Sequence, residues 1–262
     1  MASAHTTVTF VGTDAVVPAG GHDTASFVIN GRYLVDTGWY GAIKMQGYGI
    51  DPAALECLFL THCHHDHTLG LPHLLLYRSF KLGKAAASRP LKIFGPAADL
   101  AEVVDLAQKF LRPEQFPEIV CATDLVALKP GYSYETDAFL LEPCAAKHPV
   151  AALCYRFTDK TTGATIAFTG DTGYDPKIAA HVRGVGLLIH EASYGAEHAP
   201  KDDKWGHSGA PDAAHVALQA GVRRLALIHC PEHKRAGALD AAQAIFPSTF
   251  LATEGETIIV EP

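Results

Sequence analysis

Apolar positions along this chain fall into short runs, each closed by glycine, proline or a polar pair. Residues 8–11 read as a strand turned by Gly12-Thr13-Asp14, and Gly20-Gly21 marks a loop. The clearest hairpin joins 26–29 to 33–36 across Asn30-Gly31, a pair that tolerates the positive φ of a two-residue turn. Asp51-Pro52 is a helix start, with aspartate as N-cap and proline at the first helical position. A strand over 57–60 follows. Residues 69–82 carry apolar positions too densely for a surface helix, which predicts a well-buried one. Residues 98–111 instead space Leu100, Val103, Val104, Ala107, Phe110 and Leu111 along one face of an amphipathic helix.

The second half repeats this scheme. Strands are predicted at 91–94, 125–128, 138–141, 152–157 and 165–169, the last two joined by Thr161-Thr162-Gly163. The apolar runs 187–189 and 225–228 each end in a histidine, His190 and His229. A helix over 211–220, closed by Gly221, lies between them, and a short helix over 240–246 precedes strands at 249–252 and 257–260. Strand-rich openings followed by alternating strand and helix predict an α/β protein. Two sheets pack face to face with helices outside, a four-layer αββα sandwich. No linker or low-complexity segment interrupts it, so residues 1–262 are read as a single domain.

Composition narrows this picture only in places. The 262 residues are 48% hydrophobic and 19% charged, ordinary for a compact enzyme. No apolar run approaches the roughly 20 residues that span a bilayer. Residues 1–5 have neither a cationic nor an apolar stretch, so no signal peptide and a cytoplasmic location are expected. Six scattered cysteines without a Cys-x-x-Cys pair are expected to be reduced and mostly buried. The net charge of −7 disfavours a long polyanion but leaves room for a small anionic substrate. Fifteen histidines are the compositional anomaly, because several cluster.

The densest cluster is Thr61-His62-Cys63-His64-His65-Asp66-His67, directly after the apolar residues 58–60. On an extended segment His62 and His64 point to one side. Asp66 and His67 follow where the chain turns, and can aim at a second position. Imidazole nitrogen with carboxylate oxygen suits zinc first, with manganese or iron as alternatives.

This stretch resembles the H-x-H-x-D-H signature of the metallo-β-lactamase superfamily. His148, Asp171 in a Thr-Gly-Asp-Thr turn and His229 resemble the later motifs of that family, in order. The resemblance implies two divalent metal ions. His62, His64 and His148 would hold one, Asp66, His67 and His229 the other, with Asp171 bridging. His190-Glu191-Ala192-Ser193 and Trp205-Gly206-His207-Ser208-Gly209-Ala210 resemble two motifs of the ribonuclease Z branch. There Glu191 and His207 would form the pair that protonates the leaving oxygen, since a carboxylate beside an imidazole raises its pKa.

The expected activity is therefore phosphodiester hydrolysis by metal-activated water, with Asp66 also orienting or deprotonating that water. The substrate is expected to be a small or cyclic phosphodiester, or a nucleic-acid end. Members of the branch that process tRNA carry a long arm before the bridging aspartate. Residues 150–170 leave no room for one, and the continuation after His229 departs from the branch, so tRNA is not the expected substrate. A lactone, thioester or β-lactam hydrolase is the alternative, because the same nucleophile attacks a carbonyl. Trp39, Tyr40, Tyr194 and Trp205 are candidate substrate walls, and Lys234 and Arg235 candidate phosphate contacts. His190 is read as a strand-end residue that orients the site. Dimers are common among relatives, so a homodimer is compatible with the resemblance.

Overall fold

The structure is a computed structural model that describes residues 5–262; residues 1–4, part of the stretch read for a signal peptide, lie outside it. The chain opens with β1 (Thr6–Gly12), β2 (Ser26–Ile29), β3 (Tyr33–Val35), α1 (Gly41–Gly47), β4 (Cys57–Phe59), α2 (His65–Thr68) and α3 (Leu71–Leu82). It continues through β5 (Leu91–Pro96), α4 (Leu100–Phe110), β6 (Thr123–Leu128), β7 (Tyr134–Glu135), β8 (Phe139–Ala145), β9 (Leu153–Asp159), β10 (Thr165–Phe168) and α5 (Pro176–His181). It closes with β11 (Leu187–Glu191), α6 (Ala210–Ala220), β12 (Arg224–Ile228), α7 (Arg235–Gln243), β13 (Thr249–Leu251) and β14 (Thr257–Val260).

The strands form two seven-stranded sheets, ordered β14-β1-β2-β3-β4-β5-β6 and β13-β12-β11-β10-β9-β8-β7. Between them lies an aromatic core including Phe10, Phe27, Tyr33, Phe59, Phe139, Phe157 and Phe168. Rings from opposite sheets interlock there; Phe27 and Phe168 meet edge-on at 5.5 Å. Helices α1, α3 and α4 cover the outside of the first sheet, and α5, α6 and α7 that of the second. This is the αββα sandwich expected from the pattern. No helix among the described residues is long and apolar enough to cross a membrane.

Strands β3 to β6 run parallel, as do β10 to β13. Their carboxyl ends therefore gather along one rim, where loops rather than ladders decide which side chains meet.

Several boundaries differ from expectation for local reasons. Asp51 caps as predicted, accepting from the Ala53 N–H at 2.9 Å, but opens only a single 3-10 turn. Buried Arg78 donates to the carbonyls of Pro52, Ala53 and Leu55 and so satisfies the turn without a longer helix. The predicted buried helix over 69–82 starts at Leu71 and is buried on one side only: Phe80 is 72% exposed and Leu69 50%. The last helix begins at Arg235, five positions before the pattern suggested, because Gly237 breaks the apolar signal. Helix α5 was not predicted, although Asp175-Pro176 is the same start signal as Asp51-Pro52 and Asp175 accepts from the Lys177 N–H.

Candidate metal centre

The rim is assembled from both sheets. Beyond β4, Thr61 accepts from the Leu153 N–H at 2.9 Å and His62 bridges to Ala152, which joins the sheets at this point. The chain then turns into α2, so Asp66 and His67 swing away from His62 and His64. His148 comes from the β8–β9 connection, Asp171 follows β10, Glu191 ends β11 and His229 follows β12.

Three groups of donor atoms result, each within 4.8 Å: His62, His64 and His148; Asp66, His67, Asp171 and His229; and Glu191, His207 and His229. The Asp171 Oδ2 atom lies 3.7 Å from His62 Nε2, 3.4 Å from His67 Nε2 and 3.5 Å from His229 Nε2, between the first two groups.

Hydrogen bonds fix which nitrogen each ring presents. His67 donates through Nδ1 to Asp36 Oδ2 at 2.8 Å, leaving Nε2 for the site. Thr61 Oγ1 donates to the same carboxylate and so accepts from His62 Nδ1 at 3.1 Å. His148 donates through Nδ1 to the Gly206 carbonyl at 3.0 Å. Ser193 Oγ donates to Glu191 Oε2 at 2.6 Å and accepts from His229 Nδ1 at 2.9 Å. All four rings thus turn Nε2 inward, the arrangement that orients metal-binding imidazoles.

Among the described residues these inward atoms are only partly answered: His229 Nε2 meets Asp66 Oδ2 at 3.2 Å. His62 Nε2, His67 Nε2 and Asp171 Oδ1 are buried without a hydrogen-bond partner. His148 Nε2 faces His64 Nδ1 at 3.0 Å. Each unanswered buried polar atom costs about 1–3 kcal/mol, a cost that a cation between them would remove. The mixed nitrogen and oxygen donor set fits divalent metals of the zinc type.

The electrostatics divide in the same way. Burial, helped by neighbouring imidazoles, pushes His62, His64 and His148 below the usual histidine range, so these rings stay neutral. Burial would raise Asp66 and Asp171, but His229 and His67 outweigh it and hold both carboxyls below their usual value. Burial also opposes charge on His207, but Glu191 foremost, then Asp171 and Asp203, lifts it to about 9. Its Nδ1 donates to Glu191 Oε1 at 2.9 Å, and its backbone N–H to Asp203 Oδ2 at 2.9 Å. Asp203 also takes Tyr194 OH at 2.6 Å, fastening the loop that presents His207.

The family pattern described as the beta-lactamase superfamily domain matches residues 31–230. The chain belongs to the beta-lactamase superfamily. Among curated proteins it is similar to a ribonuclease Z from Methanothermobacter thermautotrophicus, 27% identical over 305 residues, covering 97% of this chain and 96% of that protein. Among solved structures it resembles the short form of human tRNase Z, with a TM-score of 0.79 and 22% identity over 98% of this chain and 100% of that one. It also resembles the metallo-beta-lactamase fold protein YhfI from Bacillus subtilis, with a TM-score of 0.77 and 24% identity over 97% of this chain and 98% of that one. At these identities the two structures establish a likeness of fold.

Within this superfamily domain, all seven side chains expected to hold metal converge, and Glu191 meets His207 beside them. Other expectations fail. Trp39 and Tyr40 turn their backbone N–H groups to Asp23 and do not line the cleft over the donor groups, whereas Tyr194 and Trp205 do. Arg235 is occupied by Thr13, Ala252 and Glu232, which leaves Lys234 as the cation lining that cleft. His190 is buried and bonds only the Glu191 carbonyl, so it orients no ring of the site.

Residues that support the site carried weaker signals. Asp36 stood out only as a strand end and as one of the opening residues that resemble the ribonuclease Z branch, and Ser193 only as the last residue of a motif. Gly206 has a reason of its own: a Cβ there would meet the Lys147 carbonyl at 2.7 Å and the His148 Cα at 2.9 Å, at a φ of +68°. Asp36 holds both the Thr61 backbone and the His67 ring. Asp36→Asn is expected to weaken zinc affinity by roughly 10–100-fold, measured by competition with a chromophoric chelator; an unchanged affinity would show that His67 is oriented by something else.

Proposed function

We propose that the chain is a metal-dependent phosphodiester hydrolase acting on a small or short phosphodiester. The observation that carries this reading is the Glu191–His207 pair, 2.9 Å apart, next to the donor groups. The His207 ring packs 5.4 Å from that of His148 and 5.7 Å from that of His229. Loss of a poor alkoxide from phosphorus benefits from an acid on the far side of the attacking water.

His62, His64 and His148 would hold one ion and Asp66, His67 and His229 the other, with Asp171 shared. Zinc is the first candidate, and manganese or iron the alternatives. Such ions make water acidic enough to attack near neutral pH and offset charge on the phosphoryl oxygens. Asp66 Oδ2, 3.2 Å from His229 Nε2, is an acceptor suited to orient the attacking water. His207, charged below about pH 9, gives its proton to the departing oxygen, and Glu191 keeps that proton in place.

The cleft has a volume of about 560 Å³ and is walled by Trp205, Tyr194, Val16 and Lys234, dimensions suited to a small organic phosphate. Between His148 and Asp171 the chain holds β9, a tight turn and β10, with no arm to embrace a tRNA. The alignment with the ribonuclease Z relative runs to 305 positions, more than the 262 residues of this chain, so that relative carries inserted segments absent here. Both facts favour a short substrate over tRNA trimming.

The deciding experiment is a parallel rate screen of the zinc- and manganese-loaded protein. It would compare bis(p-nitrophenyl) phosphate, cyclic nucleotides and a tRNA precursor with a lactone, a thioester and a β-lactam. Phosphodiester turnover is expected to dominate. Turnover confined to a carbonyl substrate would replace this reading with the alternative.

A further inference from the structure

Outside the metal centre, one cluster of reactive groups has no part in the proposed chemistry. Cys144 on β8 and Cys154 on β9 are direct partners in the antiparallel register, both on the outer face of the second sheet. Directly opposed residues sit about 4.5–5.5 Å apart at Cα, within the roughly 4.4–6.8 Å that a disulfide bridges. His181, the last residue of α5, ties its ring to the same strand two residues before Cys144, and His181 and the Cys154 thiol both act on the Cys144 sulfur. The His181 Nε2–H is committed to the Glu142 carbonyl at 3.0 Å, so the other ring nitrogen is left to receive the thiol proton. Cys154 is fully buried, whereas Cys144 is partly exposed. An oxidant therefore reaches one sulfur only.

We propose that Cys144 is a peroxide-reactive thiol, activated by His181 and resolved by Cys154 into a cross-strand disulfide. The chemistry balances. The Cys144 sulfur attacks one peroxide oxygen, the O–O bond breaks, and the departing hydroxide takes the proton held by His181 to leave as water. The Cys154 sulfur then attacks the resulting sulfenic acid. The S–O bond breaks, and the hydroxide leaves as a second water with the Cys154 proton. Two thiols are oxidised and one hydrogen peroxide is reduced.

The surroundings agree. The Cys154 thiol foremost, against burial and together with His181, brings the Cys144 thiol down to about 6. The neighbouring Cys144 thiol foremost, and then burial, push Cys154 well up. The charged groups facing the pair are Asp175 at the start of α5, Glu142 on β8 and Arg156 on β9, and Arg156 is held by Glu142 at 3.7 Å and by the carbonyls of His181 and Arg183. The two cysteines also bracket the segment that carries His148, so their bond would fasten the root of that connection.

The test uses the 262-residue chain with all six of its cysteines. Iodoacetamide labelling is followed residue by residue across pH by peptide mass spectrometry. Cys144 is expected to show a midpoint near 6. At neutral pH it is expected to react roughly ten-fold faster or more than Cys63, the other partly exposed thiol. His181→Asn is expected to raise the midpoint and slow labelling. One equivalent of peroxide is expected to give a Cys144–Cys154 linked peptide, and Cys154→Ser a dimedone adduct on Cys144. A midpoint at or above about 8.5, the ordinary thiol value, would overturn the proposal. So would labelling indifferent to His181→Asn, or oxidation that spares Cys144. The labelling and peptide-linkage measurements on the unmodified chain stand even if Cys154→Ser fails to fold.

Discussion

His64→Ala is expected to abolish turnover and to lower metal content while leaving the metal-free fold almost unchanged. His64 is half-buried at the mouth of the site, and its Nδ1 faces the lone pair of His148 Nε2 at 3.0 Å. In the metal-free protein that contact contributes little, since two imidazoles whose rings are kept neutral offer each other at most one shared proton. With an ion between them the same geometry becomes a pair of ligands. Outer residues that merely orient a ligand cost roughly 10–100-fold when removed, so loss of a ligand should exceed about 100-fold. Two measurements separate this from ordinary misfolding. Metal content per chain should fall, and the rise in melting temperature on adding zinc should shrink while the melting temperature without zinc stays close to that of the unmodified protein. Full hydrolysis of bis(p-nitrophenyl) phosphate by a metal-depleted His64→Ala protein would sink the metal mechanism.

His207→Ala should behave differently. It keeps the two inner donor groups and should keep its metal, but lose roughly 10²–10⁴-fold in turnover of substrates with poor leaving groups. A p-nitrophenolate needs no proton to depart, so the loss there should be small. The pH dependence has a definite sign. His207 is protonated below its raised value of about 9, and the acid is lost as pH climbs through it. The rate on an alkyl phosphodiester should therefore fall on the alkaline side near 9. Glu191→Gln removes the foremost group that raises the ring and should move that limb toward the ordinary histidine value near 6.5. An unchanged rate with a poor leaving group would remove His207 from the role of acid.

Much of the fold was legible because its signals are local. The Asn30-Gly31 turn, the amphipathic spacing of α4 and the Gly221 closure of α6 all depend on residues a few positions apart. The candidate site was legible for another reason: His62, His64, Asp66 and His67 lie within six residues, and the resemblance supplied the distant partners. What stayed hidden depends on contacts across the sandwich. Nothing near Asp36 announces that it will hold His67 and Thr61, and nothing near Ser193 that it will receive a proton from His229. Arg235 was misread because a charged pair beside a ligand looks free until its partners at Thr13 and Ala252 are known. The outer side of α3 was misread because hydropathy reports how apolar a face is, not whether a neighbour covers it.

The donors come from both sheets. His64 and His148 are separated by 84 residues, and Asp66 and His229 by 163. An ion held between either pair would close a loop of that length, as a disulfide does, and closing a loop of about 100 residues is worth up to roughly 4.7 kcal/mol against the unfolded chain. The proposed catalyst would thus double as the clasp of the sandwich. Chelation would then do more than stop the reaction: the rim where the sheets meet would open more often, exposing its amides to hydrogen exchange and its loops to proteases while the aromatic core beneath stays shut.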